Sequence, residues 1–277
     1  MKAIWVVVLS VLCGWVQAVQ AETPVERGRY IVEVIGACGN CHTPQGPEGP
    51  DMSMHLAGGN PIVMYGMHAV PRNITQDKET GIGSWTDEQI MHAIREGVRP
   101  DGRVLGPPMP FDMYRHISDN DVAAIVAYLR TVKPIHNTPE PSHYDFPLPP
   151  SWGPPVGHVP DPDHSDPVAY GAYLAGPLGH CMECHSTPDK DGVPDMVNHL
   201  GAGGMQFPGP WGVSVSRNLT PTGLAHRSDA EIKQIITTGV RDDGTKLLPP
   251  MGIHYYAHLT PTDLTDIVDY LRTLPPR

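Results

Sequence analysis

The sequence predicts an all-α protein made of two tandem copies of one module, joined by a proline-rich connector. Two observations favour this class. Short motifs recur with an offset near 143 residues, which is far longer than a solenoid unit and close to a common domain size. Within each copy, apolar residues recur at helical spacing, and no run of useful length alternates as a half-buried strand would.

Composition excludes several classes of protein. Only 18% of the 277 residues are charged, so the chain is not a charge-rich disordered protein. The net charge of −11 argues against a nucleic-acid partner and favours protein partners with basic docking patches. The 29 glycines and 32 prolines indicate long irregular segments between the helices.

Residues 1–21 are predicted to be a secretory signal peptide. Lys2 precedes an apolar run of 13 residues, from Ile4 to Val16, and small residues suited to cleavage follow it. The run is shorter than the ~20 apolar residues of a membrane-spanning helix, although an uncleaved anchor is the alternative. We therefore expect a periplasmic protein that is soluble after cleavage, which also removes Cys13.

Residues 22–134 and 167–277 are predicted to be the two modules, because six motifs recur in them in the same order. The matched motifs are Gly28-Arg29-Tyr30 with Gly171-Ala172-Tyr173, Cys38–His42 with Cys181–His185, His55–Gly59 with His199–Gly204, Arg72–Thr75 with Arg217–Thr220, Pro108-Met109 with Pro250-Met251, and Tyr128–Thr131 with Tyr270–Thr273. Such a module has little apolar bulk, so a large buried cofactor is expected to complete its core.

Each module carries three helix signals. The first helix precedes a pair of cysteines, and the second and third begin at capping residues followed by apolar residues three or four apart. In the two modules these helices are expected to begin at Val25 and Val168, at Thr86 and Ser228, and at Ser118 and Thr260.

Residues 135–166 are predicted to be an extended, semi-rigid connector. The stretch from Pro134 to Pro167 holds 11 prolines in 34 residues, which favours polyproline II structure. Phe146 and Trp152 are candidates for fixing the connector to the modules. On composition alone, a mobile linker is the alternative.

A Cys-x-x-Cys-His motif occurs once in each module. Cysteines three apart lie on one side of a helical turn, so both thiols can form thioethers with one porphyrin while the next histidine binds the iron. This is the attachment signature of haem c, and the sequence therefore predicts two covalently bound haem c groups. The predicted attachment residues are Cys38, Cys41, Cys181 and Cys184, and the predicted iron ligands are His42 and His185.

Other uses of the paired cysteines fit the sequence less well. A zinc site needs a second ligand pair at short spacing, and neither module has further cysteines. A thioredoxin-type redox pair needs a βαβ context, which is absent from the predicted elements. Disulfides stay open for a form without haem.

Met109 and Met251 are the predicted second axial ligands. They coincide under the repeat, and both follow Pro-Pro in a stiff, non-helical loop that can hold a weak thioether ligand in place. The alternative pair is His55 and His199, which also coincide; their other role is a hydrogen bond near the haem edge.

Arg72 and Arg217 are predicted to bind the haem propionates. Both are matched under the repeat and follow loops expected to reach the haem. The fork of a guanidinium suits a carboxylate. An exposed arginine is the alternative.

The module resembles a class I cytochrome c, in which an N-terminal helix crosses a C-terminal helix and the haem iron has His and Met ligands. More narrowly, four stretches resemble the cytochrome c subunits of bacterial membrane-associated alcohol and gluconate dehydrogenases: Arg72–Thr75, Thr80–Asp87, Ala93–Val98 and Ala127–Thr131. The resemblance covers nearly the whole mature chain and implies two tandem class I cytochrome c domains. Those subunits typically carry three haem modules, whereas this chain carries two.

The resemblance implies a di-haem cytochrome that transfers electrons from a dehydrogenase to a respiratory acceptor such as a cytochrome or an oxidase. It also implies peripheral association with a membrane complex. As a departure from those subunits, no membrane-binding tail is expected after the second module. Because an iron with both axial positions filled binds no substrate, we expect an electron-transfer protein or complex subunit rather than a stand-alone enzyme. The alternatives are a di-haem enzyme, such as a peroxidase with one exchangeable axial site, and a sensor or structural haem module.

Overall fold

The computed structural model describes residues 22–46 and 49–277. The predicted signal peptide, with Cys13, lies outside the described residues. Helices make up most of the regular structure, and residues 24–129 and 167–273 contain nearly the same order of helices. We call these two stretches the first half and the second half.

The helices of the first half are α1 (Pro24–Tyr30), continued by a π-helical turn (Ile31–Ile35), α2 (Cys38–His42), α3 (Asp87–Glu96), α4 (Phe111–Tyr114) and α5 (Asp119–Leu129). Those of the second half are α6 (Pro167–Tyr173), continued by a π-helical turn (Leu174–Leu178), α7 (Cys181–His185), α8 (Pro221–Leu224), α9 (Asp229–Thr238), α10 (Ile253–Tyr256) and α11 (Pro261–Thr273). A short 3-10 turn lies at Met52–Met54.

The predicted helix starts are confirmed by their caps. The Thr86 side chain accepts a hydrogen bond from the Gln89 N–H, and Gln89 returns one to the Thr86 backbone. Ser228 and Glu231 form the same capping box in the second half. These local bonds satisfy N–H groups that the first turn of a helix leaves unpaired.

Short strands are a feature that the sequence did not predict. They are β1 (Gln45–Gly46), β2 (Gly49–Pro50), β3 (Ile62–Met64), β4 (Met67–Ala69), β5 (His143–Tyr144), β6 (Gln206–Gly209) and β7 (Gly212–Val215). They form two two-stranded sheets, β1–β2 and β6–β7, and one three-stranded sheet in the order β3-β4-β5, all antiparallel. The expectation of an all-α protein is therefore too simple, because strands of two to four residues show no periodicity in the sequence.

In each half, the first helix crosses the last at very short range. A Cβ atom on Gly28 of α1 would lie 1.8 Å from the Ala124 carbonyl oxygen of α5. A Cβ atom on Gly171 of α6 would lie 1.9 Å from the Asp266 carbonyl oxygen of α11. Only glycine permits such an approach of two backbones, which explains why a glycine stands at both of these matched positions.

The two halves share one hydrophobic core. Buried residues of both halves belong to a single cluster, among them Ile35 and Tyr114 of the first half and Leu178 and Tyr255 of the second half. The halves are therefore packed against each other over an apolar joint, and burial of this area is a stabilising contribution that neither half has alone.

Two tyrosines bridge the halves in a reciprocal way. The Tyr30 hydroxyl donates to Asp263 Oδ2 (2.5 Å) and accepts from the Thr260 N–H (3.2 Å) at the start of α11. The Tyr173 hydroxyl donates to Asp121 Oδ2 (2.8 Å) and accepts a hydrogen bond at 3.0 Å from the backbone N–H at the start of α5. Since the two tyrosines are matched under the repeat, the joint has a local twofold symmetry.

The connector lies along the first half and is not free. The Trp152 ring stacks on Phe111 (centroids 5.5 Å apart), and its Nε1–H donates to the Leu105 carbonyl (2.8 Å). Phe146 packs against Tyr144 of the connector (5.6 Å) and lies beside Gly66 of the first half. Trp152 thus fixes the connector as predicted, which disfavours the mobile-linker alternative.

Within the described ranges, no helix combines the length and the apolar character needed to cross a membrane.

Candidate cofactor sites

The paired cysteines lie on two matched five-residue helices, α2 and α7. Each helix follows a residue in the left-handed conformation, Ala37 (φ 44°) and His180 (φ 40°). A non-glycine residue is strained there, and such strain is typical of functional sites. The strained residue turns the chain from the π-helical turn into the cysteine helix, and both halves do this in the same way.

The four thiols are free, so the structure does not adopt the disulfide alternative. Burial raises the pKa of Cys38 to about 12 and that of Cys41 and Cys181 to about 11, and it raises the pKa of Cys184 well above its usual range. All four are therefore neutral thiols at physiological pH. Two unpaired, half-buried thiols on one helical turn fit covalent attachment of a large apolar group.

The histidine after each pair is held in one tautomer. His42 Nδ1 lies 2.7 Å from the Arg72 carbonyl oxygen, and His185 Nδ1 lies 2.7 Å from the Arg217 carbonyl oxygen. Because a carbonyl only accepts, each Nδ1 must carry the hydrogen, which leaves the Nε2 lone pair available to a metal. Burial also lowers the pKa of both imidazoles and favours the neutral form that binds iron.

Met109 and Met251 occupy matched places in two matched loops. Each is partly buried against the hydrophobic core. The carbonyl of each accepts a 2.9 Å hydrogen bond from the N–H two residues on, Phe111 or Ile253, where α4 or α10 begins. The peptide bonds Pro107-Pro108 and Pro249-Pro250 are both cis. The backbone around Met109 thus has the same local geometry as that around Met251, as expected if the two residues have the same role.

The alternative pair of ligands does not share its surroundings. His55 Nε2 lies 2.9 Å from Glu33 Oε1 of the first helical segment, whereas His199 bonds through Nδ1 to Asp195 in its own loop (2.9 Å). Each imidazole thus has one nitrogen bonded to a carboxylate, in different ways in the two halves, while His55 Nδ1 is buried without a hydrogen-bond partner among the described residues. This fits the role of hydrogen-bonding residues better than that of repeated iron ligands.

Arg72 lies among other cations. Its Nη1–H donates to the Pro139 carbonyl of the connector (2.9 Å). Burial lowers the pKa of Arg72, and the charges of Arg99 and Arg103 lower it further. Asp101 pairs with Arg103 at 2.6 Å and with Arg99 at 3.6 Å, so this carboxylate pairs with only two of the three guanidinium groups. The excess positive charge suits a group with carboxylates such as propionates.

The second half has fewer cations at the matched positions. Arg217 is exposed. Arg241 stands at the position of Arg99, and Thr245 stands at the position of Arg103 and accepts a 2.9 Å hydrogen bond from Arg241. Arg99 lies outside the six matched motifs although it recurs as Arg241, and Arg103 does not recur, so neither was predicted from the sequence.

Glu183, inside the second Cys-x-x-Cys-His motif, was also missed. Burial at the joint between the halves, with the charge of Asp112 as a second cause, raises its pKa to about 8. The carboxyl group is therefore mostly protonated at neutral pH. Its matched residue, Asn40, is uncharged and donates to the Pro250 carbonyl (2.8 Å) across the same joint.

Comparison with known proteins also indicates a cytochrome c. A family model for cytochrome c matches residues 25–133. The chain is 32% identical over 267 residues to the fructose dehydrogenase cytochrome subunit of Gluconobacter japonicus, covering 91% of this chain and 52% of the relative. It is 32% identical over 274 residues to the gluconate 2-dehydrogenase cytochrome c subunit of Pantoea cypripedii, covering 90% of this chain and 59% of that relative.

A shorter relative matches over most of its own length. The chain is 29% identical over 257 residues to a diheme cytochrome c-type protein of Cereibacter sphaeroides, covering 87% of this chain and 82% of the relative. By contrast, the chain spans little more than half the length of the fructose and gluconate dehydrogenase subunits that it matches.

Proposed function

We propose that the chain is an electron carrier between a dehydrogenase and a respiratory acceptor, because it contains a cytochrome c domain and is similar to the cytochrome c subunits of sugar and alcohol dehydrogenases. It carries two covalently bound haem c groups. When bound, haem c supplies an iron that alternates between Fe(II) and Fe(III). The observation that supports this proposal most strongly is the pair of 2.7 Å hydrogen bonds that hold His42 and His185 in the iron-binding tautomer.

The proposed holding residues form two matched sets. Cys38 and Cys41 attach the first haem, with His42 and Met109 on its iron and Arg72 on its propionates. Cys181 and Cys184 attach the second haem, with His185 and Met251 on its iron and Arg217 on its propionates. Each half then acts as one cytochrome c domain, in tandem with the other and joined to it by the connector.

The role proposed for the histidines and methionines is to keep their positions fixed when the haem gains or loses an electron. Each imidazole is fixed by a backbone carbonyl, and each methionine is held in a loop that packs on the core. If His42 with Met109 and His185 with Met251 hold the two irons, no position on either iron would remain for a substrate, and the haems would supply electron transfer alone. Rigid ligands in a water-poor pocket reduce the rearrangement that accompanies a change of charge.

We place the protein in the periplasm, where the predicted signal peptide would deliver it. The names of the relatives support a dehydrogenase as the donor. Peripheral association with a membrane complex belongs to the same proposal. The assignment of a dehydrogenase as the electron donor is tested by adding the purified protein to the catalytic subunit of a sugar or alcohol dehydrogenase that lacks its cytochrome subunit. Substrate-dependent reduction of the haem absorbance is expected, and no reduction with any such donor would contradict this assignment.

Removing the two cysteines of one half should remove one haem and leave the other in place. We expect two haems per chain, measured as the pyridine haemochrome against protein mass. The double variants Cys38→Ser/Cys41→Ser and Cys181→Ser/Cys184→Ser should each keep one, because each thiol pair serves a separate site. Fewer than two haems in the unaltered chain, or complete loss in either double variant of a folded protein, would contradict the assignment.

Removing either matched methionine should lower the reduction potential of one haem. A thioether ligand raises the potential relative to a nitrogen ligand or water, so Met109→Ala and Met251→Ala should each shift one of the two waves in spectroelectrochemistry to lower potential. Each variant should also let carbon monoxide bind one reduced iron. Met113→Ala is the matched control, since Met113 packs on the core four residues from Met109 but has no repeat partner. Equal shifts in the control would argue against both ligands.

A further inference from the structure

The two halves differ in whether a third strand pairs with their hairpin. In the first half, the connector strand β5 adds to β4, with Met67 opposite Tyr144 and His68 opposite His143. In the second half, β6 and β7 form a hairpin of their own, and among residues 22–46 and 49–277 no third strand pairs with β7. The outer edge of β7 is therefore open where the matched edge of β4 is covered.

The open edge carries apolar side chains that the first half buries. Alignment of Arg72 with Arg217 places Val215 at the position of Val70. Val70 is 3% exposed, and its N–H donates to Ser142 Oγ of the connector (2.9 Å). Val215 is 48% exposed, and Val213 on the same face of β7 is 56% exposed. Burial of these two valines would be favourable.

The backbone of β7 is also free to accept a strand. The Ser216 N–H donates to the Met205 carbonyl on the β6 side (2.9 Å). Since the N–H groups of successive residues in a strand point to opposite edges, the Val215 N–H faces the open edge. The β7 sequence, Gly212–Val215, contains no charged residue or proline of the kind that protects an unpaired edge.

Two further contacts show what an occupant would meet. In the first half, Arg72 donates to the Pro139 carbonyl, and the Tyr144 ring sits against Gly106 with its hydroxyl on the Pro107 carbonyl (3.0 Å). In the second half, Arg217 is exposed, and Leu248, 42% exposed, stands at the position of Gly106. A leucine at this position takes up the space that Gly106 leaves open for Tyr144. A segment bound in the second half would therefore carry a smaller apolar residue at the place of Tyr144.

We propose that the β7 surface, defined as the open edge of β7 with Val213, Val215 and Leu248, docks an extended segment of a partner protein by strand addition. The segment pairs with β7 as β5 pairs with β4, places small apolar side chains on the two valines and Leu248, and offers a carbonyl to Arg217. Strand addition of this kind gives affinity through backbone bonds and specificity through alternate side chains.

A second copy of the chain is a poorer occupant. Its own β5 is already paired with β4, and two chains of net charge −11 repel each other. The proposal concerns binding and does not depend on the electron-transfer role, so each can fail without the other.

The first test tethers a model of the segment to the protein. The sequence of residues 136–146, with valine at the place of Tyr144, is appended after Arg277 of the haem-loaded chain. We expect the Val213 and Val215 amides to exchange hydrogen about tenfold more slowly than in the untethered chain. A control tether carries proline at the places of His143 and Tyr144, which removes the N–H groups that would pair, and should give no slowing. Equal exchange in the two tethered proteins would overturn the proposal.

The second test uses the same peptide in trans and separates the occupants. At millimolar peptide, the amide resonances of β7 should shift in the reduced, unaltered protein. They should shift equally in the control variant Val63→Ser, which changes an exposed valine of the first hairpin. They should not shift in Val215→Pro, because proline removes the edge N–H while the bonds to β6 stay intact. Shifts that survive in Val215→Pro would overturn strand addition. A concentration-dependent dimer in sedimentation, lost in Val215→Pro, would assign the edge to a second copy and overturn the assignment to a partner.

Discussion

Gly28→Ala is expected to destabilise the first half by about 3 kcal/mol, the upper end of the usual effect of overpacking. The added methyl group would lie 1.8 Å from the Ala124 carbonyl oxygen and 2.9 Å from the Tyr128 Cβ. A backbone carbonyl inside a helix cannot turn aside, so α1 and α5 must separate and lose part of their shared packing. Gly171→Ala should do the same to the second half, where the clash is with the Asp266 carbonyl oxygen at 1.9 Å.

Denaturant unfolding, followed by haem absorbance and by far-UV circular dichroism, measures this effect. Gly157→Ala is the control, since a Cβ atom there meets no atom within 4 Å. The control should unfold like the unaltered chain. If Gly28→Ala also did so, the close crossing of α1 over α5 would be wrong.

The Tyr30→Phe/Tyr173→Phe double variant is expected to uncouple the two halves. Each change removes a hydroxyl that both donates to a carboxylate and accepts from a backbone N–H of the other half. Tyr173→Phe should cost more, about 2 kcal/mol, because it leaves the fully buried Ser118 N–H unpaired. Thr260 is exposed, so its N–H can turn to water in Tyr30→Phe, which should cost about 1 kcal/mol.

Calorimetry distinguishes the two states. The unaltered chain should unfold in one transition, and the double variant should show two, one for each half. Tyr144→Phe is the matched control, because its hydroxyl bonds the Pro107 carbonyl within the first half and its connector. A single, unshifted transition in the double variant would show that the apolar joint alone couples the halves.

The features that the sequence predicted correctly depend on neighbouring residues. The capping boxes at Thr86 and Ser228 involve residues three apart, and a local pattern is enough to specify them. The crossing glycines, Gly28 and Gly171, were found through the repeat. Each Cys-x-x-Cys-His motif lies on one short helix, as the spacing indicated.

The features that were missed depend on contacts distant in the sequence. The bond from Tyr30 to Asp263 joins residues 233 apart, and nothing near either residue indicates it. The strand β5 has two residues and forms only because the connector lies beside β4. Arg99 and Arg103 approach Arg72 only in the folded chain. Local periodicity contains none of this information.

The reciprocal tyrosines at the joint have a consequence for how the two copies diverge. A contact in which Tyr30 meets the start of α11 while Tyr173 meets the start of α5 has the form of an isologous dimer interface. In a homodimer, any substitution is imposed on both subunits at once. Covalent fusion lifts that restriction, so a replacement such as Thr245 at the position of Arg103 is confined to one copy. The charges around the two Cys-x-x-Cys-His motifs can then differ, as they do between the surroundings of Arg72 and those of Arg217.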